Sequence, residues 1–251
     1  PRSRGLGDVY KRQVNVLRAA REAGVSKTVY TSTVGTIGIP KNGLGTEDTT
    51  VDPKALHGNY KWSKYQAEAE AMSIASEGMP LVVVNPTAPV GPWDVKPTPT
   101  GKIVLDFLKG NVPAYLKTGM NLVDVADVVD GHILALEKGK SGERYILGNQ
   151  NMSLKEIFET LSRLTGLSAP RIRVPYLLVG LIGYADRFVE GTLLRREPAI
   201  PVEGVLASKI PAYVTCDKAV KELGQPQRSI ENALERAITW FADHGLSLIH
   251  I

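Results

Sequence analysis

The chain holds one cysteine, Cys216, among 251 residues. A single thiol excludes an internal disulfide framework and a cysteine-cluster zinc site, and it predicts a reducing, cytoplasmic compartment. Long apolar runs are missing as well. The longest, 176–184, is interrupted by glycines and ends at Asp186 and Arg187, too short to span a bilayer. Basic character is scarce outside the first residues. Of the net charge of +4, Arg2, Arg4, Lys11 and Arg12 against Asp8 supply +3, which leaves +1 for everything after Gln13. No basic stripe with interleaved aromatics exists, so nucleic acid is excluded as a partner. His57 and His132 have no partners at metal-ligand spacing, and His132 reads as a core or rim residue of a helix. What remains is an ordinary globular composition, 43% hydrophobic and 22% charged, long enough for one large domain or two small ones.

The two ends stand apart. Residues 1–13 have no apolar period and join a helix pattern at Val14; residues 246–251 follow a helix stop at Gly245. Both read as translated sequencing-adapter sequence, and a non-native leader and tail are the expectation. On that reading the gene is cut at its front.

Between these ends the pattern alternates. Helix is predicted over 14–23 with Gly24 at its C-cap, and strand over 28–33, which is β-branched and aromatic. A loop rich in Gly, Pro, Asn and Asp covers 35–58. A long helix is predicted over 59–77. Leu81–Asn85 is a short continuous apolar run, as a strand buried on both faces requires. Helix, strand, helix, strand is the second half of a doubly wound α/β domain, whose ligands bind at the carboxyl ends of the strands. Beyond Gly101 the pattern mixes helices (103–109, 125–138, 176–196, 217–223, 229–244) with short strands (121–124, 144–147, 171–174). Ser153 and Glu156 form a capping box opening a helix to Leu164. The fold class is therefore α/β: a partial Rossmann-type parallel sheet lacking its first strands, with a small α+β domain. Residues 14–91, with return segments near 121–140, make the first domain, and 92–245 mainly the second.

Tyr60 and Lys64 lie four apart on one helix face. A phenol is a poor base at neutral pH, and a nearby ammonium favours its ionised form, so such a pair can move a proton on a substrate hydroxyl. Alone, the spacing also fits a solvated helix face. The context adds a strand ending Ser32-Thr33, whose hydroxyls can hold a substrate oxygen, and Asn85-Pro86-Thr87 at the next strand end, where a flat ring could be contacted. Asp94 and Lys96 lie at the mouth of the sheet, as substrate contacts or as a solvated loop. Arg171 and Arg173 alternate on a predicted strand, as a phosphate site or, better, as a surface strand.

Tyr30-Thr31-Ser32-Thr33 with Gly38, Tyr60-Lys61-Trp62-Ser63-Lys64, and Asn85-Pro86 with Gly91-Pro92 resemble the extended short-chain dehydrogenase/reductases, the NAD-dependent sugar epimerases, dehydratases and dihydroflavonol-4-reductase-like enzymes. Residues 91–101 and 142–148 resemble one branch, the hopanoid-associated sugar epimerases. The resemblance covers 14–245. It implies Tyr60 as catalytic acid/base, Lys64 as its electrostatic partner and ribose ligand, Thr33 as the catalytic hydroxyl with Ser32 as runner-up, and Pro86 and Thr87 beside the nicotinamide. It implies NAD or NADP as cofactor, a small-molecule substrate, a role in hopanoid biosynthesis, and a homodimer through the helices at 14–23 and 59–77.

Two departures accompany it. The family's adjacent aspartates read Ala126-Asp127 here. The glycine-rich dinucleotide fingerprint is absent, since Gly5 and Gly7 follow no strand; three βα units would account for roughly 90 further residues. This chain is therefore expected to lack most of the cofactor cradle, to be inactive as given, and to expose strand edges. A non-catalytic dinucleotide-binding redox sensor of the same fold is the alternative, against which the Tyr-x-x-x-Lys pair argues.

Overall fold

Leu81–Pro86 (strand β2) is the centre of a parallel sheet, and its sequence shows why. Leu81 through Val84 are fully buried, and alternate members serve opposite faces. Leu81 and Val83 join Leu17 of helix α1 (Ser3–Glu22) and Ala71 and Ile74 of helix α2 (Asn59–Ser76) in one cluster. Val82 and Val84 join Val128 and Ala135 of helix α4 (Val125–Lys138), with Ala219 and Leu223, in another. A strand covered on both sides needs no polar residue; each fully buried valine or leucine contributes roughly 1.5–3 kcal/mol of transfer free energy.

The computed structural model describes residues 3–40, 42–53, 56, 58–176 and 210–246. The chain divides into two compact units. The first comprises Pro1–Pro89, Val123–Asn149 and Val214–Arg228. Its sheet has the order β1 (Thr28–Thr31), β2, β6 (Arg144–Leu147), all parallel, with Val29 beside Val82 and Asn85 beside Ile146. Parallel neighbours joined by helical crossovers on both faces are the doubly wound arrangement the sequence predicts.

The second unit comprises Val90–Leu122, Gln150–Tyr213 and Ser229–Ile251. Strands β5 (Gly119–Asp124) and β7 (Gln150–Ser153) pair antiparallel, with Gly119 opposite Ser153. Short β4 (Ala114–Tyr115) and β8 (Ile172–Arg173) pair in parallel; β3 is Ala88–Val90, of which only Val90 belongs to this unit. Helices α3 (Pro99–Leu108), α5 (Leu154–Thr165) and α6 (Ile230–Asp243) pack together, with Phe107 stacked on Phe158 at 5.9 Å. The Ser153–Glu156 capping box is present in full.

Several boundaries differ from the sequence reading. Helix α1 starts at Ser3 rather than Val14; it runs through Gly5 and Gly7, and no Gly or Pro interrupts it from Asp8 to Glu22. Strand β1 ends at Thr31, because Thr33 turns to cap a 3-10 turn at Val34–Thr36, its Oγ1 accepting from Gly35 N. Pro86 closes β2 from within. Helix α3 opens earlier, behind the Thr98 N-cap with Pro99 at its first turn. Residues Ala219–Leu223 are wound as a π-helix, not an α-helix. The helix predicted over 176–196 lies outside the described residues, as do His57 and the end of the tail at 247–251.

Candidate active site

Gly58 holds φ at 89°, a backbone open to glycine and strained for most residues, immediately before α2 begins. Tyr60 thus falls in the first turn of α2, 59% exposed and so accessible. Lys64 follows one turn later. Its Nζ donates to the carbonyl of Thr31, 3.0 Å away, and lies 5.3 Å from the centre of the Tyr30 ring. The start of α2 is thereby pinned to the carboxyl end of β1. Burial pulls the Lys64 ammonium below the ordinary lysine range, and the negative charge of Glu68 opposes that shift.

Tyr30 is buried, and its hydroxyl donates to Gln13 Oε1 at 3.2 Å. Burial, then Glu68 and Tyr60, push its pKa up to about 12, so this phenol stays neutral. Tyr60 is the accessible phenol of the two.

The two candidate hydroxyls separate cleanly. Ser32 is buried and its hydroxyl oxygen has no partner and no solvent contact. Thr33 is partly exposed; its Oγ1 accepts from Gly35 N at 3.2 Å, which leaves its own proton free to donate. Access favours Thr33 over Ser32. At the end of β2, Pro86 is partly exposed. Thr87 is buried, and both its N–H and its hydroxyl point to the Leu147 carbonyl, at 3.0 and 3.3 Å. Its polar atoms are thus committed to the protein.

Asp94 and Lys96 belong to the second unit. Both Asp94 carboxylate oxygens lie 2.9 Å from Thr98 N, and Oδ2 also accepts from Thr98 Oγ1, so this side chain shapes the start of α3. Lys96 is exposed. Arg171 and Arg173 are exposed as well, the latter on β8.

Two residues outside the predicted site lie beside it: His132, which the sequence reads as a core or rim residue, and Glu68, which it passes over. His132 Nδ1 lies 2.7 Å from the Val128 carbonyl, which can only accept, so Nδ1 carries a proton, and Nε2 shares a hydrogen bond with Thr31 Oγ1 at 2.9 Å. Glu68 lies beneath Lys64 with 4% exposure. Its position four after Lys64 is the signal that could have found it. Asp127, the lone survivor of the expected pair, is buried and ion-paired with Arg228, while Asp124 caps α4 by accepting from Ala126 N.

The described residues fit one end of a nicotinamide dinucleotide. An ammonium has three N–H donors, and Lys64 gives one to the protein, leaving two at a half-buried position beside an accessible phenol and hydroxyl. No glycine-rich turn for a pyrophosphate follows a strand among them. They contain no group of His, Cys, Asp and Glu able to hold a metal ion.

Residues 8–148 match the profile described as the NAD dependent epimerase/dehydratase family. The chain belongs to that family. It is 47% identical, over 92% of its length and 68% of the relative's, to a Synechocystis sp. protein provisionally named dihydroflavonol 4-reductase. It is 31% identical to sterol demethylase protein B of Methylococcus capsulatus, covering 92% of this chain and 71% of that one. Among solved structures, gox2253 superposes with a TM-score of 0.81 at 40% identity, covering 94% of this chain and 72% of that one. The chain thus spans about seven-tenths of each relative's length. Family and fold agree with the resemblance carried by Tyr30–Thr33, Tyr60–Lys64 and Asn85-Pro86, and the activity is coarsely that of an epimerase/dehydratase-family oxidoreductase.

Proposed function

We propose that this chain carries the proton-handling part of an NAD(P)-dependent oxidoreductase site acting on a hydroxyl or keto carbon of a small molecule. The observation that carries it is the Lys64 ammonium bonded to the Thr31 carbonyl at the carboxyl end of a parallel sheet, with the accessible phenol of Tyr60 one helix turn before it and the accessible hydroxyl of Thr33 two residues beyond Thr31. When bound, a nicotinamide dinucleotide supplies hydride transfer. Lys64, with Pro86, would hold its nicotinamide ribose end.

The chain's own residues handle the oxygen. For reduction, the Tyr60 phenol gives its proton to the substrate carbonyl oxygen; for oxidation, the phenolate takes the proton of the hydroxyl. The Lys64 charge stabilises the negative charge left on the Tyr60 oxygen. The Thr33 hydroxyl donates to the same substrate oxygen and holds it in reach of Tyr60. Epimerisation would require the keto intermediate to turn over before release. The name of the Synechocystis relative, a 4-reductase, supports release of a reduced product. A hopanoid-pathway substrate rests on the resemblance of residues 91–101 and 142–148.

Tyr60→Phe tests this reading. In a protein that also holds the glycine-rich dinucleotide turn, the variant should lose turnover by about 10²–10⁴-fold, the usual worth of a positioned acid/base, while dinucleotide affinity stays nearly intact. Full activity in Tyr60→Phe would overturn the assignment of Tyr60, whereas dinucleotide binding without turnover in the unsubstituted protein would favour a dinucleotide-binding sensor.

A further inference from the structure

This inference rests on reading Tyr60, Lys64 and Thr33 as one site. These residues come from two separate elements, α2 and the turn after β1, and something must fix one against the other. A buried polar network lies beneath them. Glu68 Oε2 accepts from Asn85 Nδ2 and from Thr36 Oγ1, each at 2.7 Å, and Oε1 meets Arg144 Nη1 at 3.0 Å. Asn85, at the end of β2, is fully buried; the same Nδ2 also reaches the Thr33 carbonyl at 3.1 Å and Thr36 Oγ1 at 3.0 Å. Thr36 Oγ1 stands 2.7 Å from the Thr33 carbonyl too, so its one proton serves either that oxygen or Glu68.

Asn85 Oδ1 has no partner and no solvent contact. The amide gives up its own acceptor to present its N–H₂ to Glu68 and Thr33. Buried polar groups are nearly always satisfied, so an unsatisfied one marks an orientation imposed from outside the group. The carboxylate of Glu68 imposes it. A buried ion pair is weak as a stabilising device, since apolar residues of matched volume often serve as well. Hydrogen bonds fix direction, which apolar packing does not.

We propose that Glu68 is a positioning residue: its buried carboxylate, acting through Asn85 and Thr36, ties the helix carrying Tyr60 and Lys64 to the Thr33 turn and so places the Thr33 hydroxyl against the Tyr60–Lys64 pair. Asn85 is accordingly a tether, inaccessible to substrate.

The test uses this chain with Glu68→Met and Glu68→Gln. Methionine keeps the length and removes both oxygens; glutamine keeps an oxygen for Asn85 and Thr36. Amide hydrogen exchange is read at Gly35, Thr36 and Ile37 in the turn, against Val83 and Val84 in the sheet. Glu68→Met should speed exchange in the turn about tenfold relative to the sheet, the size of one lost hydrogen bond. Glu68→Gln should restore turn protection. Carried into a protein that also holds the glycine-rich dinucleotide turn, Glu68→Met should lower kcat about tenfold or more, with KM within about twofold. Turn amides that stay protected in Glu68→Met, or that loosen equally with the sheet, would overturn the proposal and leave Glu68 a general stabiliser. Should Glu68→Met fail to fold, Thr36→Val deletes one hydroxyl at constant shape and carries the same exchange readout. A loosened turn in Glu68→Met together with full activity in Tyr60→Phe would keep the tether and refute the catalytic reading instead.

Discussion

The Lys64 ammonium is held by three kinds of contact: the Thr31 carbonyl, the Tyr30 ring and the field of Glu68. The Tyr30 ring lies 5.3 Å from that ammonium. Its phenol ionises at about 12 in the fold and near 10 in the unfolded chain. A raised phenol leaves stability intact below pH 10 and costs it as pH rises from 10 towards 12, because the unfolded chain releases the proton first. Tyr30→Phe should therefore flatten the alkaline limb of stability, measured by denaturant unfolding between pH 9 and 11. An equally steep limb in the variant would contradict the buried, neutral phenol. The Tyr60–Lys64 pair was legible because one helix turn separates its members. The partners of Glu68 were not, since Asn85 and Arg144 stand 17 and 76 residues away from it, and only the sheet brings them together.

At the scale of elements, legibility followed periodicity. The run Leu81–Val84 announced a strand covered on both faces, and Val125–Lys138 and Arg144–Leu147 fall where the pattern puts them. Strand β7, Gln150–Ser153, was missed because three of its four residues are polar and its pairing with β5 alone makes it a strand. Nothing local in Ala219–Leu223 distinguishes π from α winding. The capping box of α5 was legible and yields a second prediction. Ser153 N and Oγ each lie 2.7 Å from Glu156 Oε2, which holds the Glu156 carboxyl below the usual range. Ser153→Ala should cost about 1 kcal/mol at neutral pH. Because the folded carboxyl is depressed, this contribution is present above the ordinary carboxylate range and fades as pH falls through the depressed value. The gap between parent and variant in thermal unfolding should narrow from pH 7 to pH 3, and a constant gap would argue that Glu156 takes no part.

Across the whole molecule, two units are each assembled from three separate stretches of chain. The first has the parallel sheet and the candidate site at the carboxyl ends of its strands, as open α/β sheets dictate. No helix among the described residues is long and apolar enough to cross a membrane. These residues fit the nicotinamide end and offer no glycine-rich turn for the pyrophosphate. Reduced nicotinamide mononucleotide and NADH should therefore bind this chain with affinities within about tenfold, one such contact's worth. The comparison is a titration followed by nicotinamide fluorescence. Much tighter NADH would mean that other residues build the cradle.

The site itself is tested most directly by labelling the nine tyrosines at their Cζ carbons with ¹³C and titrating the chain with NADH to millimolar concentration. The Tyr60 resonance is identified by its loss in Tyr60→Phe. The account predicts a saturable shift of Tyr60, abolished in Lys64→Met, with Tyr115 and Tyr145 unmoved. A Tyr60 signal that stays fixed while another tyrosine responds would place the dinucleotide elsewhere and contradict the account.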